Sequence, residues 1–521
     1  MRIFGKHHSI PAFVRNGTVL WMLAFAGPVQ LSAITLAIGP NINITRLTNN
    51  QTETTIALNP LNPQNLFAGA NGGYTYTPAK LPLPSVFYYS TNGGAAWAAS
   101  DVSALPTACC DQSTAWDDFG NLFLAYLAQA GPAVVALSTN GGASFVLLYQ
   151  STGALDQPTI TTGPGRSYAP NSVWITYAGA GLIAQGAAVY GLGNVGTFSS
   201  PQIASPGGTF GDIAIGPNGE VLVTYQGAAS TPDTISVNLD PDGLGPAGFN
   251  AGVAATSTEV GGFLAIPAQP HRTIDAEAGL AWDHSPGPHH GRVYLVYTDR
   301  PGSTSADTDI YLRYSDDSGT TWTNPQRVND DAIGNGKSQF LPRIALDQTT
   351  GNIAISFYDS RNSAANNTAE YWATASLDGG ASVLPNLKIS AGLSSANVIA
   401  VSTYKFDFGD YSGLTFYGGI FYPCWGDNSN SAGNNPEGTL TTLEAYTAAV
   451  IVPPFLTLAP DGTNLIVSWP NPSTGFVLQE TPGLSPANWT NHPAVPQIVA
   501  GRKQVSDTAA DGGRFFRLIR P

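Results

Sequence analysis

One short segment, Ser90-Thr-Asn-Gly-Gly-Ala-Ala-Trp97, occurs again as Ser315-Asp-Asp-Ser-Gly-Thr-Thr-Trp322. Weaker copies of the pattern Ser-x-Asp/Asn-x-Gly-x-x-Trp end at Phe145 and Val383. In such a pattern Asp or Asn bonds backbone amides, glycine supplies a positive φ, and the aromatic ring packs under the turn. We therefore predict four similar hairpin turns with a structural role. Their defining residues are Ser90, Asn92, Gly94, Trp97, Ser138, Asn140, Gly142, Ser315, Asp317, Gly319, Trp322 and Asp378.

Two strand patterns recur around these turns with a period of about 45 to 70 residues, which is typical of propellers and other repeat arrays. The first pattern is an acid followed by a short apolar strand, and Arg343 takes the place of the acid once. The acids are Glu53, Asp111, Asp156, Asp212, Glu277 and Asp410. The second pattern is a β-branched and aromatic strand that ends in tyrosine, as at Tyr126 and Tyr358. Strands this apolar suit sheets that are covered on both faces.

With these turns and strands, the chain resembles the Asp-box (BNR-repeat) β-propellers of the sialidase superfamily, of the secreted bacterial type. The resemblance covers about residues 45–430. It implies an all-β fold, a propeller of six or seven blades. We favour seven, because the first strand pattern occurs seven times, whereas the sialidases that the chain resembles have six blades.

Three segments differ in composition. Residues 1–37 have the charged, apolar and small-residue order of a secretory signal peptide, with cleavage after Ala33 or Ala37. We assign residues 38–451 to the sialidase-like propeller and residues 452–521 to a small β-sandwich accessory module, with Pro453-Pro454 as the linker. Binding and capping are both open as roles for this module. We expect a secreted, periplasmic or extracellular protein.

Composition excludes some partners. The net charge is −14 and charged residues make up 11% of the chain, which argues against a nucleic-acid partner. No segment is apolar for long enough to span a membrane. The expected partner is a glycan or glycoprotein, and we expect a monomer.

Three cysteines, Cys109, Cys110 and Cys424, are disulfide candidates: either the first two form a vicinal bridge or one of them pairs with Cys424.

The acids that open the first strands should meet at one face of the propeller, around its axis. A carboxyl pair there can supply the acid and the base or nucleophile that glycosidases need. We select Asp111, Asp156, Glu277 and Tyr411 as catalytic candidates, since the resemblance implies an aspartate acid and a Tyr–Glu nucleophile pair. The substrate-binding candidates are Arg300, Arg343, Arg361 and Asp359. The Arg-Ile-Pro motif of sialidases is absent.

With these residues, the resemblance implies a sialidase-like exo-glycosidase that acts on sialic acid or another anionic sugar. The alternative is a propeller that binds a glycan or protein without turnover, and the sequence leaves open whether the chain is an enzyme. We expect no cofactor. A structural calcium ion stays open, because an acid-lined channel mouth offers the oxygen ligands that this ion prefers.

Overall fold

The computed structural model describes residues 34–72, 84–129, 131–166, 169–209, 211–227, 231–302, 305–398, 406–462, 464–508 and 514–520. Its regular elements are all strands, and these residues contain no helix, so none that could cross a membrane. The expected all-β class is confirmed. Most of the predicted signal peptide lies outside the described residues.

Six antiparallel sheets follow one another after two short strands, β1 (Ala37–Ile38) and β2 (Ile42–Asn43). The first sheet contains β3 (Thr52–Leu58), β4 (Leu66–Asn71), β5 (Val86–Ser90) and β6 (Ala98–Ala99). The second contains β7 (Ala108–Trp116), β8 (Leu122–Ala128), β9 (Ala133–Ser138) and β10 (Val146–Gln150). The third contains β11 (Asp156–Pro164), β12 (Asn171–Gly179), β13 (Gly181–Gly191), β14 (Asn194–Val195) and β15 (Gln202–Ser205). In each sheet, strands that follow each other in the chain pair side by side, except that β15 pairs with β13.

The next sheets have the same strand order, and a separate hairpin interrupts them. The fourth sheet contains β16 (Ile213–Ile215), β17 (Val221–Tyr225), β18 (Asp233–Asp240) and β19 (Val253–Thr258). The hairpin is β20 (Leu264–Ile266) and β21 (Gln269–Ile274). The fifth sheet contains β22 (Gly279–Trp282), β23 (Val293–Asp299), β24 (Asp309–Ser315) and β25 (Gln326–Arg327). The sixth contains β26 (Gln339–Asp347), β27 (Asn352–Asp359), β28 (Glu370–Ser376) and β29 (Leu387–Lys388).

A further sheet joins the two ends of this series. It contains β30 (Gly413–Tyr417), β31 (Ile420–Asp427), β32 (Glu444–Thr447) and β33 (Val450–Ile451). Strand β2 pairs with β32, where Ile42 lies opposite Thr447, and β1 pairs with β33, where Ala37 lies opposite Ile451. The first strands of all these sheets contact each other in the closed series β3, β7, β11, β16, β22, β26, β30 and β3 again. Sheets arranged around an axis in this way are typical of a β-propeller.

The hydrophobic core lies between neighbouring sheets. Strand β8 contacts this core on both of its faces, which explains why it is apolar throughout. Leu122, Leu124 and Tyr126 pack with Phe67 in the first sheet. The alternate residues Phe123, Ala125 and Leu127 pack with Val173 and Ile175 in the third sheet. Because successive side chains point to opposite faces, a strand buried on both faces has no position for a polar side chain.

The predicted turns share one set of hydrogen bonds. In the turn after β24, the Gly319 amide donates to Ser315 Oγ at 2.9 Å, and the Thr321 amide donates to Asp317 Oδ1 at 2.8 Å. Trp322 Nε1 donates to the Gly319 carbonyl at 3.0 Å. Equivalent amide-to-hydroxyl bonds reach Ser90, Ser138 and Ser376. These bonds fix the turn with side chains of the turn itself.

A related turn follows β18 and was not predicted. Asp240 stands in place of the serine, but it accepts the amide three residues on, that of Gly243, at 2.8 Å, instead of the amide four residues on. Asp242 then accepts the Ala247 amide at 3.1 Å. This turn contains the Asp and Gly of the pattern but lacks the serine and the tryptophan, so its sequence does not match. The sequence is Asp240-Pro-Asp-Gly-Leu-Gly-Pro-Ala-Gly-Phe249.

The C-terminal segment forms two antiparallel sheets. The strands are β34 (Thr457–Asp461), β35 (Asn464–Pro470), β36 (Val477–Thr481), β37 (Thr490–Asn491), β38 (Gln497–Val499), β39 (Arg502–Thr508) and β40 (Phe515–Ile519). One sheet has the order β34-β35-β39-β38 and the other β37-β36-β40. Val467, Trp469 and Val505 of the first sheet pack on Leu478 of the second. The segment belongs to the same compact unit as the ring, Thr35–Pro521.

Candidate functional site

The acids near the axis lie where the first strands begin, and the backbone there is irregular. Glu53, Asp111 and Glu277 have φ values of 50°, 57° and 44°. Strand pairing shifts beside Glu53 and beside Asp111, between Thr52 and Thr55 and between Cys110 and Ser113. A positive φ is uncommon outside glycine, and bulges often re-aim side chains near functional sites.

Two of the predicted positions in this repeat are displaced in the structure. Gln157 and Leu341 have the positive φ values of 42° and 50°, so they occupy the place expected for Asp156 and Arg343. Asp156 lies one residue earlier and is exposed. Arg343 lies two residues later, beyond the shift in strand pairing between Phe340 and Arg343. The bulges explain the displacement, because they add a residue that a simple alignment of motifs does not reveal.

A polar cavity of about 170 Å³ lies among the first strands of the ring. Its walls carry hydroxyl, amide and charged side chains. They include Thr55, Gln112, Thr159, Asp212, Glu277, Arg343 and Tyr411. The structure therefore brings Glu277, Arg343 and Tyr411 to one cavity, although they are far apart in the chain.

A partly buried ion-pair cluster lies beside this cavity. Arg272 of β21 donates from Nε to Asp410 Oδ1 at 2.7 Å, and its NH2 group contacts Asp410 Oδ2. The same NH2 group lies 3.3 Å from Glu53 Oε1. The carboxyl of Glu53 is buried, which together with Asp410 raises its pKa well above the usual value, while Arg272 opposes that rise.

The hairpin that carries Arg272 is held by the segment before β30. Asp407, which is fully buried, accepts the amides of His271 and Arg272 at 2.7 and 3.0 Å. Gln269 Nε2 donates to the Gly409 carbonyl at 2.8 Å. These bonds place the arginine over the start of the last sheet.

Asp111 is the acid best suited to hold a proton near neutral pH. The residue is 7% exposed, and the carboxyl of Asp156 is close enough to act on it electrostatically. Burial and then the Asp156 charge raise the pKa of Asp111 to about 7. The Gln157 amide opposes this rise, because it donates to Asp111 Oδ2 at 3.2 Å and stabilises the ionised carboxylate. A carboxyl with such a pKa can donate a proton at neutral pH.

Glu277 and Asp275 form a second pair of acids. The Glu277 amide donates to Asp275 Oδ1 at 2.9 Å. Burial and then the Asp275 charge raise the pKa of Glu277 well above its usual value, and Arg343 opposes this. Burial also raises the pKa of Asp275 to about 6. At neutral pH this pair therefore keeps part of its protons.

The guanidinium of Arg343 has N–H groups without an acceptor among the described residues. Its guanidinium lies 3.9 Å from Asp212 Oδ2, and the side chain is 24% exposed at the cavity. Asp212 itself accepts the amides of Ile213 and Leu280 at 2.9 Å each. Among the described residues, the Arg343 side chain donates no hydrogen bond. A guanidinium with free donors in a polar cavity is suited to bind an anion.

Tyr411 lies in the cavity wall beside acids. Burial and then the charges of Asp111, Glu53 and Asp410 raise the pKa of its phenol well above the usual value. The phenol therefore stays protonated and can donate a hydrogen bond.

The other predicted binding residues are engaged elsewhere. Arg300 donates to the carbonyls of Glu259 and Ser305 at 2.8 and 3.0 Å. Arg361 bonds Asp359 and Asp330 at 2.7 and 2.6 Å and lies over the ring of Trp372. None of Arg300, Asp359 and Arg361 lines the cavity.

The sequence places Arg272 and Asp275 just before Glu277, near the face with the acids, but we did not select them as site residues. Arg272 belongs to the hairpin that interrupts the series of sheets, so it has no counterpart in the repeat. The nearest signal was its position shortly before Glu277. The repeat did contain Glu53 and Asp410, but it did not predict that they form ion pairs with Arg272.

The three cysteines are free thiols in the structure. Cys109 is exposed, Cys110 is half-buried and Cys424 is buried. The pairings that the sequence suggests for them stay predictions.

One group of side chains among the described residues has the spacing of metal ligands. Glu480, His492 and Asp507 lie together in the C-terminal sheets. Arg514 already pairs with Glu480 at 3.2 Å and also contacts Asp507. The cation that balances these acids is therefore a side chain.

Comparisons with known proteins give similarity in structure only. No protein-family model and no curated protein matches the chain. A protein of unknown function from Dyadobacter fermentans is similar over 80% of this chain and 99% of that chain, at 11% identity and a TM-score of 0.43. The endosialidase of phage phi92 is similar over 82% and 71%, at 12% identity and a TM-score of 0.43. A Hadza microbial sialidase, Hz136, is similar over 74% and 73%, at 13% identity and a TM-score of 0.40.

Proposed function

We propose that the chain is an exported glycoside hydrolase that cleaves the bond beside an anionic sugar at the cavity of Glu277, Arg343 and Tyr411. One observation carries the proposal: Arg343, with free guanidinium donors, and Glu277, a carboxyl with a raised pKa, line the same polar cavity, and Gln112, the neighbour of Asp111 in the chain, lines it too. The anion-binding group and the acid chemistry are thus within reach of the same substrate.

We propose seven blades for the ring. The closed series of seven first strands supports this number. The outer strand of the last blade is then β2, from the start of the chain. A blade built from both ends of the propeller segment closes the ring through backbone hydrogen bonds, which favours a cavity of fixed shape.

In this proposal, Asp111 protonates the leaving-group oxygen, with Asp156 adjusting its proton affinity. Glu277 acts on the opposite side of the bond, as nucleophile or as base toward water. Glycosidases need one protonated and one ionised carboxyl, about 5 Å apart for retention or about 6.5–9.5 Å for inversion. Burial raises the pKa of both carboxyls, and Arg343 opposes the rise for Glu277 alone, which favours Glu277 as the ionised member of the pair.

Arg343 binds the carboxylate of the sugar in this proposal. The only ion pair that it makes within the described part of the chain, to Asp212 at 3.9 Å, is long. A bidentate carboxylate would provide better geometry than that acid does. Tyr411 donates a hydrogen bond to the bound sugar.

A second function has support from Tyr411. Since its pKa lies well above the usual value, this phenol is a poor nucleophile. A propeller that binds a glycan or glycoprotein without cleaving it would need only the arginine and the hydrogen-bonding walls of the cavity.

The test uses fluorogenic sialosides and uronosides with four proteins: wild type, Arg343→Ala, Asp111→Asn and Arg166→Ala. Arg166 pairs with Asp242 away from the cavity, so its variant is the matched control for loss of an arginine. Turnover that is lost in the first two variants and kept in the third supports the hydrolase. Binding of the sugar without turnover, lost in Arg343→Ala alone, identifies the binding function instead. Absence of both contradicts the proposal.

A further inference from the structure

Two carboxyl side chains lie side by side in the sheet that joins the two ends of the series, and neither lines the cavity of the candidate site. Asp427 ends β31 and Glu444 begins β32, and the two residues lie directly opposite each other in the pairing of these strands. Directly opposed residues point to the same face of a sheet, with Cβ atoms about 4.5–5.5 Å apart. Both residues are 0% exposed. Two ionised carboxyls in this position repel each other, and burial strengthens the repulsion.

The hydrogen bonds that reach these carboxyls come from uncharged groups. Ser429 Oγ donates to Asp427 Oδ1 at 2.8 Å, and Trp425 Nε1 donates to Asp427 Oδ2 at 3.2 Å. Asn43 Nδ2 of β2 donates to Glu444 Oε2. The other oxygen of Glu444, Oε1, has no hydrogen-bond partner among the described residues. Neither carboxyl forms an ion pair in the part of the chain that the structure describes.

The unpartnered oxygen of Glu444 indicates a cation. Buried charges in proteins are normally paired with an opposite charge or bound to a metal ion. Burial and then the charges of Glu437 and Asp427 raise the pKa of Glu444 to about 7, while the Asn43 amide and the exposed Arg46 oppose this rise. A cation beside Oε1 would favour the ionised form of Glu444 and offset its repulsion from Asp427.

The chemistry of the connecting segment favours calcium over other metal ions. Residues 428–443 join β31 to β32 and are rich in Asn, Ser and Thr, and they contain no His or Cys. Softer metal ions such as Zn²⁺ prefer His and Cys ligands. Ca²⁺ takes about six to eight oxygen ligands from carboxylates, backbone and amide carbonyls and water, in a flexible geometry. Mg²⁺ requires a near-ideal octahedron, which an irregular segment supplies less readily.

We propose that Asp427 and Glu444 hold a calcium ion, with oxygen atoms of residues 428–443 and water completing its shell. The ion lies where β31, β32 and β2 meet, since Asn43 of β2 bonds the second oxygen of Glu444. Because β2 pairs with β32, the ion strengthens the sheet in which the ends of the series join. The site is independent of the proposed hydrolase and needs no glycan.

Terbium luminescence reports on this site. Tb³⁺ replaces Ca²⁺ among oxygen ligands and emits light when a nearby tryptophan is excited, and Trp425 Nε1 lies 3.2 Å from Asp427 Oδ2. We expect EDTA-treated protein to bind Tb³⁺ with tryptophan-sensitised emission that Ca²⁺ displaces. Ca²⁺ should also raise the Tm of this protein, because a ligand that binds only the folded state stabilises it. No tryptophan lines the cavity of the candidate site, so the acids there should not produce this emission.

Two variants remove the charges and keep the shapes of the side chains. Glu444→Gln should weaken Ca²⁺ binding at least about tenfold, because affinity depends on the number of charged ligands, and the Tm should no longer respond to Ca²⁺. Asp427→Asn should have the same effect. Glu370→Gln is the matched control, since Glu370 is also buried but pairs with Lys388 at 3.2 Å. Glu480→Gln tests the group of acids in the C-terminal sheets, and both controls should bind as wild type does.

Three results would overturn the proposal. The first is folded wild-type protein that neither binds Tb³⁺ nor responds to Ca²⁺. The second is an equal response in wild type, Glu444→Gln and Asp427→Asn, or a loss in Glu480→Gln alone, which would place the ion elsewhere. The third is a Glu444→Gln variant that is more stable than wild type at every Ca²⁺ concentration, which would show that a proton and not a metal ion neutralises Glu444. Each result leaves the proposed hydrolase unaffected, so the two failures are distinct.

Discussion

Arg272 and Asp410 are 138 residues apart in the chain, and the guanidinium of the first contacts both carboxylate oxygens of the second, with Nε 2.7 Å from Oδ1. This pair links the β20–β21 hairpin to the segment before β30. It also places a positive charge 3.3 Å from the buried Glu53. The pair therefore balances charge at the candidate site and connects two parts of the ring.

Arg272→Ala should destabilise the protein by about 2 kcal/mol at neutral pH. Loss of one partner from a buried ion pair costs about 3–5 kcal/mol. We expect a smaller cost here because Arg272 is 34% exposed, and solvent weakens the interaction of an exposed pair by screening it. Urea unfolding gives the free energy. A double-mutant cycle with Asp410→Asn should show coupling above the additive error of about 0.5 kcal/mol. Additive effects would contradict the described pair.

Asp111→Asn should become relatively more stable than wild type as pH rises from about 4 to 7. The folded pKa of Asp111, about 7, lies above the unfolded value near 3.9. The stability that this acid contributes is therefore fully present below about pH 4 and is lost as pH rises through 7. The gain of the variant over wild type should be on the order of 1–4 kcal/mol between these limits.

Urea unfolding across this pH range checks the Asp111 prediction. Asp378→Asn is a suitable control, because hydrogen bonds from Ser382 lower the pKa of Asp378. The stability due to Asp378 is present above its unfolded pKa and is lost as pH falls through the lower folded value. A pH-independent difference between wild type and Asp111→Asn would contradict the prediction.

Replacement by alanine should mainly affect sugar binding at Arg343 and mainly affect stability at Arg361. Arg343→Ala should change the free energy of unfolding by less than about 1 kcal/mol, since the pair to Asp212 is long and partly exposed. Arg361→Ala should cost about 2–4 kcal/mol, because it leaves the buried carboxyl of Asp359 without its cation. Binding of an anionic sugar should show the reverse order, and calorimetry with both variants measures it. Loss of sugar binding in Arg361→Ala alone would contradict our assignment.

Local patterns in the sequence predicted the all-β class, because apolar strands and turn residues are decided by neighbours in the chain. The turn after β24 shows this: Ser315, Asp317 and Gly319 bond one another across four residues. The divergent turn after β18 was missed, since an aspartate stands there in place of the serine. The spans of its hydrogen bonds differ too: Asp240 binds the amide three residues on, whereas Ser315 binds the amide four residues on.

The candidate site was predicted less completely, and its residues show why. Asp111, Glu277 and Arg343 follow a repeat, so their approach to the axis could be expected. Arg272 lies outside the repeat, and its partners depend on where a hairpin folds. Arg361 has the charge of a ligand-binding residue, but its pairs with Asp359 and Asp330 form between strands and loops that only the folded chain brings together.

Gly142→Ala should destabilise the protein more than Gly153→Ala, although both glycines have a φ close to 90°. A Cβ at Gly142 would lie 2.7 Å from Phe67 Cδ2, in the core between the first two sheets, whereas a Cβ at Gly153 meets no atom within 4 Å. Both variants pay about 1 kcal/mol for the left-handed backbone. Gly142→Ala should add about 1–3 kcal/mol for overpacking. Urea unfolding of the two variants measures this difference, and equal losses would show that the turn can move away from Phe67 at no cost.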